Sequence, residues 1–252
     1  MDKWVVVSGA SGDIGSAVCE TAQAEGYKVV AIDLADPKVG PEEWLTIDLA
    51  EAGQPEVSQI QEFVTGRHVE YAIGVVGGAI LGELVVNQIE DLSMEILRRS
   101  WDLNVSSAFA LLLGTLPAIR KADAAGRSVT FVSSINAFGG YGAVPYSSAK
   151  AGLGGLVASS APDLASVNIR INALALGTTL TKKLEDISAA AGRSADFESL
   201  GSRLPRGRVL SSEESAMDIW ALATQFTAVT GQVLVSDGAQ SLARIRSTDE
   251  SG

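Results

Sequence analysis

Tyr146 and Lys150 stand four residues apart in VPYSSAK, at the start of a helical pattern opened by Pro145. That interval puts both side chains on one helical face. A free phenol titrates at about 10, too high for ready proton exchange at neutral pH. An ammonium one turn away favours the phenolate and lowers that value, which makes the pair a candidate general acid/base. The strand pattern SVTFVSS ends twelve residues before Tyr146 and carries Ser133 and Ser134, at the carboxyl edge where ligands bind to parallel sheets. Taken alone, a Tyr and a Lys at this spacing also describe an ordinary solvated helix face.

A second constellation lies near the N-terminus, in VVVSGASGDIGSAVCETA, residues 5–22. Three valines run into Gly9, Gly12 and Gly15, and Ile14, Ala17, Val18, Thr21 and Ala22 then share one helical face, so the spacing predicts a helix from about Asp13. A glycine directly after a strand allows positive φ and leaves no Cβ in a ligand's way. The free N–H groups and positive dipole end of the helix point back at that loop. Strand, glycine turn and helix start together form a pyrophosphate cradle. Three spaced glycines alone are equally an ordinary tight turn. The next strand pattern tips the balance, because it ends in AIDL and places Asp33 eighteen residues after Gly15, where an acidic side chain hydrogen-bonds an adenosine ribose. A carboxylate there repels a 2′-phosphate and no arginine lies nearby in the sequence, so NAD is expected ahead of NADP.

These residues need a scaffold, and the hydropathy pattern supplies one. Apolar runs at 4–9, 27–34, 70–78, 128–134, 168–175 and 231–238 read as buried strands. They are continuous and do not alternate, as in a parallel sheet covered on both faces. Segments around 14–24, 55–66, 90–120, 146–165 and 212–227 are long enough for crossover helices. Regular alternation of this kind implies a doubly wound α/β sheet. No linker or repeat divides the chain, so residues 1–242 read as a single domain and 243–252 as a flexible tail. Residues 178–211 mix charge, Gly and Pro without a strand pattern, and a segment of that length inside a compact domain reads as a lid or binding loop.

Composition excludes several chemistries. The chain has 252 residues and a net charge of −11, so a polyanionic nucleic acid is repelled. One cysteine, Cys19, rules out an internal disulfide and reads as a small buried side chain on a helix. The single histidine, His68, sits in GRHVE and reads as a surface residue; with no second histidine, a His-paired metal site cannot form. The longest uncharged run, 103–119, is too short and polar for a membrane span, and no leader pattern precedes the first strand. A cytosolic protein is expected.

The motifs together resemble the short-chain dehydrogenase/reductase family over residues 3–242. In the family's order stand the glycine loop, Asp33, Asp48-Leu49 in TIDLA, Asn104 in WDLNVS, the Ser-Ser pair, Tyr146-Ser-Ser-Ala-Lys150, INALALG at 171–177 and TGQVLVSDGA at 230–239. The resemblance implies a Rossmann-like three-layer α/β/α fold and reversible hydride transfer between a nicotinamide cofactor and a small secondary alcohol or ketone. It implies that Tyr146 donates and accepts the proton, Lys150 lowers its pKa and binds the nicotinamide ribose, Ser134 orients the carbonyl, and Asn104 supports a proton relay. Gly9, Ser11, Gly12, Asp13, Ile14 and Gly15 would hold the cofactor with Asp33. Asp48 and Leu49 would lie along the adenine, and Val76, Gly77, Gly177, Thr179 and Thr181 along the remaining groove, with Thr178 and Thr181 near the nicotinamide amide. A homotetramer, or a homodimer, is also implied.

The pattern departs from the family at defined points. The family's TGxxxGxG is SGASGDIG here, a GxxGxxG spacing commoner in a longer branch of the family, and Asn-Asn-Ala-Gly is Val75-Val76-Gly77-Gly78. Ser134 lies twelve residues before Tyr146 and Ser133 thirteen, the family's commoner interval. Ser134, the second of the pair, is favoured, with Ser133 as the alternative. Two other functions fit parts of the pattern. One is a non-catalytic dinucleotide sensor or scaffold, suggested by the altered VVGG segment. The other is an epimerase or dehydratase, suggested by the glycine spacing.

Overall fold

The computed structural model describes residues 2–86, 88–139, 143–190, 192 and 196–242; the tail expected at 243–252 lies outside them. Seven strands form one sheet: β1 (Lys3–Ser8), β2 (Lys28–Asp33), β3 (Glu43–Thr46), β4 (His68–Gly74), β5 (Ser128–Ser134), β6 (Arg170–Leu176) and β7 (Val233–Ser236). Their order is β3-β2-β1-β4-β5-β6-β7, with every pair parallel. The order reverses between β1 and β4, so a crevice opens there above the carboxyl ends, where such sheets bind ligands.

The helices are α1 (Asp13–Ala24), α2 (Gln54–Val64), α3 (Leu81–Leu84), α4 (Met94–Trp101), α5 (Ser107–Lys121), α6 (Val144–Ala165), α7 (Lys182–Ala190), α8 (Phe197–Ser202) and α9 (Ser212–Thr224). Successive strand residues serve two cores. Val6 joins Ile60 of α2, Leu111 of α5 and Leu153 of α6 on one face. Val5 and Val7 join Val18 of α1 and Ile219 of α9 on the other. Burial on both faces explains why the strand sequences do not alternate. Cys19 is fully buried on α1, and burial pushes its thiol up to about 12.

Four expectations are corrected. β3 was not anticipated: EWLT is short, lies at the sheet edge, and alternates between half-buried and exposed residues. Segment 178–211 is not irregular throughout, because α7 and α8 lie within it. The expected helix at 90–120 is α4 and α5 joined through a π-helical turn, Asp102–Ser106. The whole run Met94–Lys121 is long and apolar enough to cross a membrane, but 56% of its most apolar window is buried in the protein. Last, His68 is not a free surface residue. It begins β4, its side chain is 13% exposed, and its Nε2 lies 3.5 Å from Oε1 of buried Glu70.

Candidate active site

The glycine turn connects β1 to α1. Gly9 has φ +74°, and a Cβ there would stand 2.7 Å from the Val76 backbone nitrogen. A Cβ on Gly15 would lie 2.0 Å from the Gly9 carbonyl oxygen. These two glycines are therefore required by the turn's own packing. Gly12 caps α1 without a side chain and is exposed, so the first turn of the helix faces the crevice uncovered. Ile14 packs on the α1–α9 side of the sheet.

Asp33 ends β2 beside this turn. Its Oδ2 accepts from Ser11 N at 2.9 Å and its Oδ1 from Leu34 N at 2.7 Å. The Ser11 hydroxyl donates to Ala35 O at 2.6 Å. The carboxylate is thus fixed in direction at the outer end of the crevice. Asp13, where the family's pattern has a glycine, pairs with Lys38 and accepts from Lys182 N at 2.5 Å. The Lys38 contact, first among the causes, holds the Asp13 carboxyl below its usual range. This contact seats the start of α7 on the glycine turn. Lys183, next in α7, donates to Gly77 O at 2.8 Å across the groove.

Asn104 and Lys150 converge from different helices. A Cβ on Gly77 would lie 2.6 Å from Asn104 Oδ1 and 2.7 Å from Lys150 Nζ. Asn104, fully buried in the π turn, accepts from Gly78 N at 2.9 Å and donates to Gly78 O and Ser100 O at 3.0 and 2.9 Å. Its amide is committed to backbone, so the side chain acts as a clamp on the loop after β4. Gly77 and Gly78 take φ of +149° and +130°, a region open to glycine and strained for other residues.

Lys150 is 3% exposed, and its Nζ donates to Val132 O at 2.8 Å. Nζ stands 5.9 Å from the centroid of the Tyr146 ring. The Ser134 hydroxyl donates to Asn136 Oδ1 at 3.2 Å and lies close enough to the Tyr146 phenol to favour its ionised form, whereas Ser133 donates to the Lys150 carbonyl at 3.2 Å and faces into the fold. Ser134, the favoured of the two serines, is the one that meets Tyr146.

The electrostatics differ from the expectation that Lys150 lowers the Tyr146 pKa. Burial pushes the phenol above its usual value; the Ser134 hydroxyl opposes the rise and the Glu83 charge adds to it. Burial, with a contribution from Lys183, holds Lys150 down to about 7. Desolvation disfavours the charged form of both groups and is the largest cause for each.

Other candidates serve the scaffold. Leu49 is a core residue packed with Ile47 and Val57. Asp48 accepts from Ala50 N at 2.9 Å. Gly177 lies against Asp237, whose Cα would be 2.8 Å from a Cβ at that position. Thr178 is held by Gln240 through two hydrogen bonds. Buried Thr179 turns its hydroxyl to Ser215, at 3.1 Å, away from the groove. Thr181 accepts from Leu184 N at 3.2 Å and caps α7. Val76 packs on the core. A depression lined by Lys3, Tyr27, His68 and Glu70 opens at the opposite, amino end of the strands, and none of the candidate residues lines it.

A residue at this site that the sequence reading does not include is Glu83. It is 4% exposed and accepts from Ile80 N and Tyr146 N, each at 2.7 Å. Its one sequence signal is a lone charge within the apolar run GGAILGELVV.

This site can be compared with known proteins. A family model described as enoyl-(acyl carrier protein) reductase, of the short-chain dehydrogenase/reductase type, matches residues 9–239. The chain belongs to the short-chain dehydrogenase/reductase family. Members bind a nicotinamide dinucleotide and act on small molecules, so this dehydrogenase/reductase is an oxidoreductase. It is 28% identical over 249 residues to the 3-oxoacyl-[acyl-carrier-protein] reductase FabG of Salmonella typhimurium, covering 94% of this chain and 96% of that protein. It is also 28% identical, over 244 residues, to an uncharacterized short-chain type dehydrogenase/reductase of Sinorhizobium fredii, of whose length it spans 43%. The ligand-free aldohexose dehydrogenase of Thermoplasma acidophilum superposes with a TM-score of 0.87 at 25% identity, covering 99% of this chain and 98% of that one.

Proposed function

We propose that this dehydrogenase/reductase interconverts a secondary alcohol and a ketone with NAD(H), Tyr146 serving as the general acid/base. The observation that carries the reading is the convergence of the Ser134 hydroxyl, the Tyr146 phenol and the buried Lys150, whose Nζ lies 5.9 Å from the Tyr146 ring centroid, at the carboxyl end of the sheet and across the crevice from the glycine turn.

The residues present fit a dinucleotide. Asp33 offers a directed carboxylate for ribose hydroxyls, and the start of α1 leaves N–H donors open beside it. An ammonium has three N–H donors, and Val132 O accepts from that of Lys150. Its remaining donors suit the hydroxyls of a second ribose. The bound nicotinamide would supply or accept the hydride.

The chain's own residues manage the proton and the position of the substrate. Tyr146 is held in its protonated form by burial, the state needed to donate a proton to a carbonyl oxygen. Ser134 offers its hydroxyl to the same oxygen. Asn104 fixes Gly77 and Gly78, and through them the wall against which Lys150 stands. Segment 178–211 is the substrate lid, with half-buried Leu184, Ile187 and Phe197 supplying apolar surface.

A homotetramer is the proposed assembly, with exposed Met94, Trp101 and Phe109 of α4–α5 and exposed Val235 of β7 meeting other copies; light scattering tests it. The function is tested by fluorescence titration with NADH and with NADPH, followed by a ketone screen monitored through nicotinamide absorbance. NADH binding with turnover supports the reading. Preferential NADPH binding overturns the Asp33 argument. Binding without turnover of any carbonyl supports the sensor reading instead.

A further inference from the structure

The family's Asn-Asn-Ala-Gly is Val75-Val76-Gly77-Gly78 in this chain, so two side-chain amides are missing beside the central strands. Two valines cannot replace their hydrogen bonds. The polar ties of this region come from elsewhere, and Glu83 makes one that reaches the catalytic helix. Its Oε1 accepts from Ile80 N and its Oε2 from Tyr146 N, both at 2.7 Å, with the side chain almost fully buried. Tyr146 N–H belongs to the first turn of α6, where donors have no partner inside the helix and a carboxylate is favoured by the dipole. Burial pushes the Glu83 carboxyl above its usual range, opposed by the N–H groups of Ile80 and Tyr146 and by the nearby buried Ser100 hydroxyl, which makes no hydrogen bond of ordinary geometry.

We propose that Glu83 is a positioning residue for Tyr146: its carboxylate ties the loop after β4 to the first turn of α6 and keeps a negative charge within electrostatic reach of the phenol. The inference rests on reading Tyr146 as the proton donor. Among the described residues, the charged groups acting around this phenol are Lys150 on its own helix, Lys183 of α7 acting on Lys150, and Glu83 of α3. Ser134 of β5 adds a hydroxyl. Glu83 is the acidic member of this set, and its charge opposes ionisation of the phenol. Removing it therefore makes the phenol easier to ionise, and removing its second acceptor oxygen frees the start of α6.

The test is an ultraviolet absorbance titration of the phenolate in the ligand-free protein, comparing the parent with Glu83→Gln. The corresponding Tyr146→Phe proteins are subtracted to isolate the Tyr146 signal from the other tyrosines. The expected result is ionisation of Tyr146 at lower pH in Glu83→Gln, together with a fall in kcat of about tenfold, since small misplacements of a reacting group are costly. Cofactor affinity should stay unchanged. An unshifted titration overturns the proposal, whether or not the rate falls, because a merely structural tie would lower the rate without moving the phenol. If Glu83→Gln does not fold, Glu83→Asp retains the charge on a shorter stem. That variant should ionise Tyr146 as the parent does but turn over more slowly, and an unchanged rate would refute the positioning role. Failure of the underlying reading is separately visible, as turnover that survives Tyr146→Phe.

Discussion

Ser133 and Ser134 are neighbours in sequence with opposite assignments in space: the Ser134 hydroxyl lies beside the Tyr146 phenol and donates to Asn136 Oδ1 at 3.2 Å, while Ser133 donates to the Lys150 backbone carbonyl at 3.2 Å. The alternation of side chains along β5 separates them, since successive residues of a strand point to opposite faces. Ser134→Ala should lower kcat by about a hundredfold, in the range expected for a group acting directly on the proton donor. Ser133→Ala should lose a few-fold at most and show its effect in thermal stability. Steady-state kinetics on both variants checks this, and the reverse ranking would assign the catalytic hydroxyl to Ser133.

Tyr146→Phe removes the hydroxyl and keeps the ring. Turnover should fall by at least about a hundredfold, while NADH binding, followed by fluorescence, stays near the parent value. The separation follows from geometry, because the contacts proposed for the dinucleotide are made by Asp33, the α1 start and Lys150. Equal loss of binding and turnover would show that the phenol holds cofactor instead of moving a proton.

Asp33→Ala tests cofactor choice. The carboxylate is held by the N–H groups of Ser11 and Leu34 at 2.9 and 2.7 Å, so it cannot swing away to admit a 2′-phosphate. Removing it should weaken NADH binding by about tenfold, the loss of roughly one charge-assisted hydrogen bond, and improve NADPH binding relative to NADH. An unchanged ratio of the two dissociation constants would place ribose recognition elsewhere.

The sheet could be read from the sequence because its strands are buried on both faces. Val5, Val6 and Val7 form an uninterrupted apolar run because alternate residues enter different cores. β3 escaped notice for the opposite reason: a four-residue edge strand with exposed Trp44 and Thr46 has no such run. The glycine turn, Asp33, Tyr146 and Lys150 were visible because their spacing is local. Asn104 was found by resemblance, and its work as a clamp on Gly78 depends on a contact 26 residues away in sequence. Glu83 meets Tyr146 N across 63 residues, and no local pattern announces such a meeting. Spacing shows the proximity of Lys150 and Tyr146 but not their desolvation, and burial is the largest influence on both groups.

Gly77→Ala probes the convergence of two helices on one loop. The added methyl would meet Asn104 Oδ1 at 2.6 Å and Lys150 Nζ at 2.7 Å, on a backbone with φ +149°. Strain of this kind costs about 1–3 kcal/mol, and relief requires movement of the lysine or of the clamp. The variant should fold with a lowered Tm and lose most of its activity. Near-normal turnover would show that Lys150 can shift without consequence.

Lys150 also makes stability depend on pH in a direction set by its burial. Its value lies at about 7 in the folded chain against 10.5 when free, so between these limits the unfolded state binds more protons. Stability therefore rises with pH through that window. The contribution is fully present above 10.5, falls as the pH drops toward 7, and is lost below the folded value. Lys150→Met has no such titration. The difference in Tm between Lys150→Met and the parent, measured on the ligand-free proteins, should be large and positive near pH 6 and shrink steadily toward pH 10. Taking the difference between the two proteins cancels the titrating groups that lie far from Lys150. A pH-independent difference would mean that the ammonium is solvated or paired in the folded protein. Lys150 would then carry its full charge, and all three of its donors, at neutral pH.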